Sequence, residues 1–387
     1  MASSVATTTR IDGSFLEGGG QVLRNAIAYS ALLKKPIAID KIRGNRDPPG
    51  LRPQHATGQC LELVSRLSKD SVLTGAQRGS SEVEFQPGTL VTGSFSADTK
   101  TAGSTTLLLQ VSLPCLLFAT RPNSDSCGDS DLKLRGGTNA TKAPPIDFVN
   151  FVLFPFLDRY FGFGPKLVIR KRGYYPKGQG EIYIENIPAL TKPLPSITVT
   201  DRGNVTLIRG RAYVAGTLPS RLVRVMADAA RKQLQQAGYG QRMVDIDEEI
   251  EPPHAAAGSG SGIILWAETD GGCILSGSAI GERGVKADET GRAAAQELIE
   301  NLAHGGCVDE YLQDQIIIFM AIAEGESQVV CGPLSLHTRT AIWLAELMTD
   351  AKFTITEGGE NGRVTIQCQG IGLLPSSTIG VDSAEGD

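Results

Sequence analysis

The sequence has few of the residues that commonly carry catalysis or bind metals. There are four histidines, and the seven cysteines (Cys60, Cys115, Cys127, Cys273, Cys307, Cys331 and Cys368) are scattered with no C-x-x-C pair. An odd, dispersed set argues against a disulfide framework or a structural zinc site and favours a reducing intracellular setting. There is no H-E-x-x-H, no Cys/His cluster and no G-x-S-x-G nucleophile elbow, which argues against catalytic zinc and hydrolase-type serine chemistry. Positive charge is not in excess: 42 acids against 37 bases leave a net charge of -5. That balance excludes a cationic nucleic-acid coat but permits a local grip on one anionic group. The longest apolar stretch, Leu107 to Ala119, is interrupted by Gln110, Ser112 and Pro114 and is too short to span a bilayer. The amino end, M-A-S-S-V-A-T-T-T-R, lacks the apolar core of a signal peptide. A soluble intracellular protein is expected.

What is abundant is glycine. It supplies 45 of 387 residues, about 12% against a usual ~7%. This length suggests two or three domains, and the glycine suggests many tight turns and close backbone approach to a ligand. Glu17-Gly-Gly-Gly-Gln21 precedes an amphipathic helix, Val22 to Leu33, and then a strand-like Pro36–Arg43. Thr101-Ala-Gly-Ser-Thr105 opens a second helix, Thr106–Ala119, with a strand at Leu132–Gly137. Asp309 to Gln315 opens a third helical run before the strand Ser327–Cys331. Three such units suggest an internally repeated α/β domain. From Ile187 to about Gly281 the character changes. A proline-punctuated connector leads into two alternating strands, a helix (Ser220–Ala237), a glycine-serine loop and the strands Ile263–Glu268 and Cys273–Ser278. Four strands and a helix suit an inserted domain. The helix Ala287–Ala303 is expected to return to the main body, closed by His304-Gly305-Gly306 as a C-cap.

Few residues could do chemistry. His254 lies in the glycine-serine loop, where solvation is the expected state. His304 sits at a helix carboxyl end, where the dipole favours an imidazolium. His337 falls in G-P-L-S-L-H-T-R-T, just before Thr338, which reads as the N-cap of a helix Arg339–Met348. A histidine there either faces phosphate oxygens at the first turn or is an ordinary junction residue. His55 ends a polar run holding Arg43, Arg46 and Arg52, which is either an anion pocket or a solvated basic loop. The glycines after Glu17 match neither standard nucleotide-binding pattern. Arg170 to Gly180 is basic, aromatic and glycine-rich, as a phosphodiester contact or a simple β-hairpin would be.

Together these segments resemble the RNA 3′-terminal phosphate cyclases. The matching signatures are D-G-S-F-L-E-G-G-G-Q-V-L-R (Asp12–Arg24), P-G-L-R-P-Q-H (Pro49–His55), T-A-G-S-T-T-L-L-L-Q (Thr101–Gln110), R-G-Y-Y-P-K-G-Q-G-E (Arg172–Glu181), H-G-G-C-V-D-E-Y-L-Q-D-Q (His304–Gln315) and G-P-L-S-L-H-T (Gly332–Thr338). They run in family order through nearly the whole chain, in forms closer to the eukaryotic branch. Gln179 stands where the family usually has glycine.

The resemblance implies an α/β (α+β) fold, with a large domain of three βαβαββ units (1–186 and 282–372), a smaller inserted domain (187–281) and a mobile tail (373–387). It implies ATP-dependent conversion of an RNA 3′-phosphate to a 2′,3′-cyclic phosphate through a histidine–AMP intermediate, with AMP and pyrophosphate released. His337 matches the nucleophile, in agreement with the absence of a K-x-D-G lysine motif. Glu17 matches a ligand of Mg2+ or Mn2+. Arg24, Arg43, Arg46, Gln54 and His55 match positions around the phosphates and the RNA terminus. Pro144 and Tyr311 match an adenine sandwich, with Gln110, Asp314 and Gln315 in the same nucleotide pocket. The partners implied are RNA with a 3′-phosphate end and ATP, the location is the nucleus with the cytoplasm as the alternative, and the state is monomer or homodimer. Two alternatives share the architecture. One is a cyclase-like branch acting in ribosome biogenesis without the histidine; the other is the enolpyruvyl transferases, whose lysines and acids are not matched in order.

Overall fold

The computed structural model describes residues 7–52, 56–120 and 128–375. It is a mixed α/β protein in which one pattern of six elements recurs. The first set comprises the strand Thr9–Asp12, helix Gly20–Leu33, strand Ile37–Asp40, helix Ala56–Leu67 and strands Val72–Thr74 and Val83–Gln86. The second runs Ser94–Asp98, helix Thr105–Leu117, Ser130–Gly136, a helical stretch from Ile146 to Phe161 with a π-helical centre at Val149–Leu153, and then Lys166–Gly173 and Gly180–Ile187. The third comprises Thr198–Val199, helices Glu310–Gln315 and Ile317–Ile322, Glu324–Cys331, helix Leu336–Met348, Lys352–Thr356 and Val364–Ile371. Each sheet has the same order. The first and second strands pair in parallel, and the last strand inserts antiparallel between the second and third.

Helices from all three units pack against one another. Helix Thr105–Leu117 is apolar on nearly every side and almost wholly buried, so its neighbours are helices rather than water. Pro114 lies inside it. With no N–H to give, it leaves the carbonyl of Gln110 without its helical donor. Helix Gly20–Leu33 packs on this helix, on Ala56–Leu67 and on Leu336–Met348.

Between Val199 and Glu310 the third unit is interrupted by a sheet ordered Val244–Ile250, Val205–Ala215, Gly260–Thr269, Ile274–Ile280. Three details differ from the sequence-based expectation. Thr198–Val199 pairs with Glu324–Cys331 rather than with its successor. The fourth strand of the insert is instead the acid-rich Val244–Ile250, parallel to Val205–Ala215. Its charges are answered by arginines, Glu249 by Arg211 and Glu248 by Arg231 at 3.0 Å. Helix Ala287–Ala303 does not return to the main body. It lies beside Arg221–Gln236 with Gly277 tucked under the backbone of Leu298, where any Cβ would collide.

The insert is fastened to the second unit by a buried ion network. Arg172 donates to both oxygens of Asp147 at 2.7 and 2.8 Å and also pairs with Glu251 of the insert. The rings of Phe151 and Trp266 stack at 4.1 Å beside it. Ala256–Ala257 adds a short strand to the edge at Arg172–Gly173. Among the described residues no helix is long and apolar enough to cross a membrane. The tail expected from 373 lies outside the described residues beyond 375.

Candidate active site

The loop between Asp12 and Gly20 is shaped before it meets its partners. Asp12 accepts from the backbone N–H and hydroxyl of Ser14 and from Lys41 at 2.7 Å. The bond from Lys41, helped by Ser14, lowers the Asp12 pKa to about 2. Leu16 and Gly18 both take positive φ values, 50° and 57°, a turn in which glycine is free of the usual penalty. Glu17 folds back so that Gly19 N–H donates to its Oε2 at 2.7 Å and Arg46 reaches its Oε1 at 3.0 Å.

This loop lies along one face of helix Leu336–Met348. The ring of Phe15 meets Trp343 at 4.7 Å, the Glu17 N–H donates to Thr340 Oγ1 at 3.3 Å, and Gln21 reaches His337. Positions 337, 340 and 343 follow the three-residue spacing of one helical face. The helix begins earlier than its sequence suggests. Ser335, not Thr338, is the N-cap and accepts from Thr338 N–H at 3.1 Å, which puts His337 inside the first turn. Ser335 caps because the buried Gln313 holds the whole segment. Its amide NH2 donates to the carbonyls of Gly332 and Pro333, and its oxygen accepts from Ser335 N–H and from the Thr338 hydroxyl at 2.6 Å.

The orientation of His337 follows from a chain of three side chains. Gln21 Nε2 donates to Asp314 Oδ2 at 2.6 Å, so Gln21 Oε1 faces His337 Nδ1 at 2.8 Å. An amide oxygen can only accept, so Nδ1 is the donor, and in the neutral imidazole the lone pair is on Nε2. Burial pushes the Asp314 carboxyl up to about 7, and Arg24 opposes that rise.

Cationic groups converge nearby. Arg24, one turn beyond Gln21, is buried, and its Nε has no hydrogen-bond partner among the described residues. Arg43 has the same unmet Nε. Its pKa is lowered by burial and then by its neighbours Arg52 and Arg46. Arg43 and Arg52 line a cavity of about 370 Å³ with Gly20 and Leu23. Unpaired buried guanidinium nitrogens held among like charges are an arrangement that an oxyanion would relieve.

The other sequence-derived positions divide. Tyr311 is half-buried and meets Phe148 edge-on at 5.7 Å, while Pro144, a turn before Phe148, accepts from the Thr106 hydroxyl at 3.0 Å. Phe148 thus brings the neighbourhoods of Pro144 and Tyr311 together. Gln110 is half-buried on the central helix. Gln315 is spent within its own helix, donating to the Tyr311 carbonyl at 2.8 Å. Gln54 and His55 lie outside the described residues. His254 is exposed in the insert. His304 is not the expected imidazolium. Burial, with Arg202 close by, lowers its pKa to about 4, and its Nδ1 accepts from Gly306 N–H at 2.8 Å. Nothing in residue type or spacing marked Gln21 and Gln313, because a neutral amide shows its use only when its partners are known.

The fold and this site define an α/β protein in which one exposed histidine donates from Nδ1 to an amide oxygen, with arginines suited to phosphate oxygens on the adjoining helix and loop. A family model described as RNA 3'-terminal phosphate cyclase matches residues 15–355. The chain is 44% identical over 377 residues to a Dictyostelium discoideum protein named "Probable RNA 3'-terminal phosphate cyclase", covering 95% of this chain and 84% of that protein. It is 39% identical to the RNA 3'-terminal phosphate cyclase of Pyrobaculum aerophilum and 38% to that of Drosophila melanogaster. Both matches cover 94% of this chain, with 98% and 96% of those proteins. The chain belongs to the RNA 3′-terminal phosphate cyclase family.

Proposed function

We propose that this enzyme uses ATP to convert an RNA 3′-phosphate end into a 2′,3′-cyclic phosphate through an adenylate held on His337. The observation that carries this reading is the chain Asp314–Gln21–His337, which directs Nε2 away from Gln21, with Arg24 one helical turn past Gln21 holding an unpaired guanidinium nitrogen.

The chemistry follows from the substrate. A 3′-phosphate has no good leaving group, so the adjacent 2′-OH cannot close the ring directly. His337 Nε2 attacks the α-phosphorus of ATP, the bond to the bridging oxygen breaks, and pyrophosphate leaves. Gln21 holds Nδ1–H through this step, and the cationic imidazole is a good leaving group in the next one. A 3′-phosphate oxygen then displaces the histidine and takes the AMP. Finally the 2′-oxygen attacks the 3′-phosphorus, loses its proton and expels AMP. Arg24, Arg43 and Arg46 suit the phosphate oxygens, with Gln54 and His55 beside them in the sequence. In-line positioning and charge neutralisation supply most of the rate.

Tyr311 and Pro144 would border the adenine, with Gln110 and Asp314 near it. Among the described residues no three His, Cys, Asp or Glu side chains gather in a way that could hold a metal ion. Glu17 therefore fits Mg2+ or Mn2+ only where substrate phosphates complete the shell, a common arrangement for Mg2+. The cation would supply charge neutralisation at the phosphates. A nuclear location belongs to the same reading, and imaging a tagged copy tests it.

Incubation with α-phosphorus-labelled ATP, a divalent cation and a 3′-phosphorylated oligoribonucleotide tests the reaction. An acid-labile, base-stable protein label and a cyclic RNA end are expected. His337→Ala should abolish both, by at least about 10^3-fold, and His254→Ala should change neither. Persistence of the label in His337→Ala would sink the assignment.

A further inference from the structure

The turn between Gly173 and Gly180 is unused by the reaction as described, yet it is built as a platform. Tyr174 is buried at 2% exposure while its neighbour Tyr175 is 81% exposed, with Lys177 exposed beside it. The turn is pressed onto the second unit by Gly178, whose φ of 64° brings it against the Thr101 carbonyl, where a side chain would collide. It is also tied to the candidate adenine wall. Thr138 N–H donates to the Gly173 carbonyl at 2.9 Å, Gly173 N–H donates to Thr138 Oγ1 at 3.1 Å, and Ile146 N–H donates to the Thr138 carbonyl at 2.8 Å, two residues past Pro144.

Away from the turn, the outer face of the second sheet continues as a cationic groove of about 650 Å³, lined by Lys100, Arg135, Arg170, Lys171 and His254. Two carboxylates, Asp98 and Glu181, also line it. Both already have partners, since Asp98 pairs with Lys100 and Glu181 with Lys133 and Arg135. Arg170, Lys171 and Lys177 form no ion pair among the described residues, and Arg170 lies over the ring of Tyr183 at 5.9 Å. A second groove of about 760 Å³ shares Asp98, Lys100 and Arg135 and extends the surface to Arg66. On a chain of net charge -5, this local excess needs an anionic partner. An exposed aromatic beside unpaired cations is the pattern that holds single-stranded nucleic acid, stacking a base while the cations follow the phosphates.

We propose that this face carries the single-stranded RNA on the 5′ side of the reacting end, with Tyr175 as a base platform and Lys177, Arg170 and Lys171 on its phosphates. The proposal rests on the cyclase reading for the identity of the strand. Charge complementarity and the hydrogen-bonded path to Pro144 select it over a protein partner.

The test uses fluorescein-labelled 3′-phosphorylated RNA of about 12 nucleotides and a 3′-phosphorylated trinucleotide too short to leave the cleft. Anisotropy without ATP reads binding independently of turnover. Arg170→Glu/Lys171→Glu/Lys177→Glu should weaken binding of the longer RNA on the order of tenfold or more. It should also lower the steepness of log K against log salt by about 2. Tyr175→Ala should weaken binding by about tenfold with the salt slope unchanged. Self-adenylylation and trinucleotide cyclisation should match wild type in both variants, which also reports an intact fold. Equal binding and equal salt slope in wild type and triple variant overturn the proposal. Wild-type binding without cyclisation in any assay would instead fail the cyclase reading and leave the surface standing.

Discussion

The first strand–helix connection of the first unit and that of the second occupy the same place in the same topology, yet they do opposite things. In the second, the connection closes on itself. Ser104 caps the helix by accepting from Thr106 N–H, Thr99 Oγ1 donates to the Thr101 carbonyl at 2.8 Å, and Gly137 N–H donates to the Gly103 carbonyl at 2.7 Å. In the first, the helix starts at Gly19 with no side-chain cap. Glu17 takes the Gly19 N–H on one oxygen and keeps the other for Arg46, and Gln21 is turned outward to His337. Topology fixes where a site can be; the polar groups left unspent by the local backbone decide which copy becomes one.

Breaking the open connection at its relay gives the largest effect expected from this contrast. Gln21→Leu removes the acceptor that holds Nδ1–H, so self-adenylylation should fall by about 10²-fold with little change in melting temperature. A drop of less than twofold would mean the amide does not orient His337. The carboxyl behind it provides a pH test. Asp314 has a folded pKa of about 7 against an ordinary 3.8. Between those values the native state keeps a proton that the unfolded chain has released, so its contribution to stability falls as pH rises through that window. Asp314→Asn should remove this trend in pH-dependent melting while keeping an acceptor for Gln21. An unchanged melting profile would show that Asp314 does not titrate there.

The glycines sharpen the same contrast. A Cβ at Gly19 would first meet the Glu17 carboxylate, a flexible end, whereas one at Gly137 would meet the Ala102 carbonyl at 2.5 Å. Gly19→Ala should leave the melting temperature nearly unchanged and reduce adenylylation, because Glu17 must swing away from Arg46. Gly137→Ala should destabilise by about 1–3 kcal/mol in denaturant titration, with activity per folded molecule preserved. Similar losses in both assays for both variants would erase the distinction. The smallest effect belongs to Gln179, which holds φ at 58°, a region that favours glycine. Gln179→Gly should be neutral or stabilising by up to about 1 kcal/mol.

Much of the architecture was legible in the sequence because periodic apolar spacing sets helix and strand directly, as in Gly20–Leu33 and Val205–Ala215. Val244–Ile250 was not, because its acids are tolerated only through arginines that arrive from the neighbouring strand and helix. The start of the histidine helix was misplaced by three residues for a similar reason. Both Ser335 and Thr338 are good caps, and Gln313, distant in sequence, decides between them. Site residues carrying charge stood out by type and spacing. The amides that orient them did not.

The two ends of the insert leave the third sheet close together. Val199 pairs with Val329, and Val308 bridges to Cys331, two residues along the same strand. A short linker could therefore rejoin the chain without disturbing the order of that sheet, so the insert is a module in the topological sense. It is not one in the electrostatic sense. Excision would take Glu251 away from Arg172 and open a fully buried guanidinium, still held by Asp147, to water on one side. A deletion that respects this would carry a second change, replacing Arg172 and Asp147 together by apolar residues of similar volume.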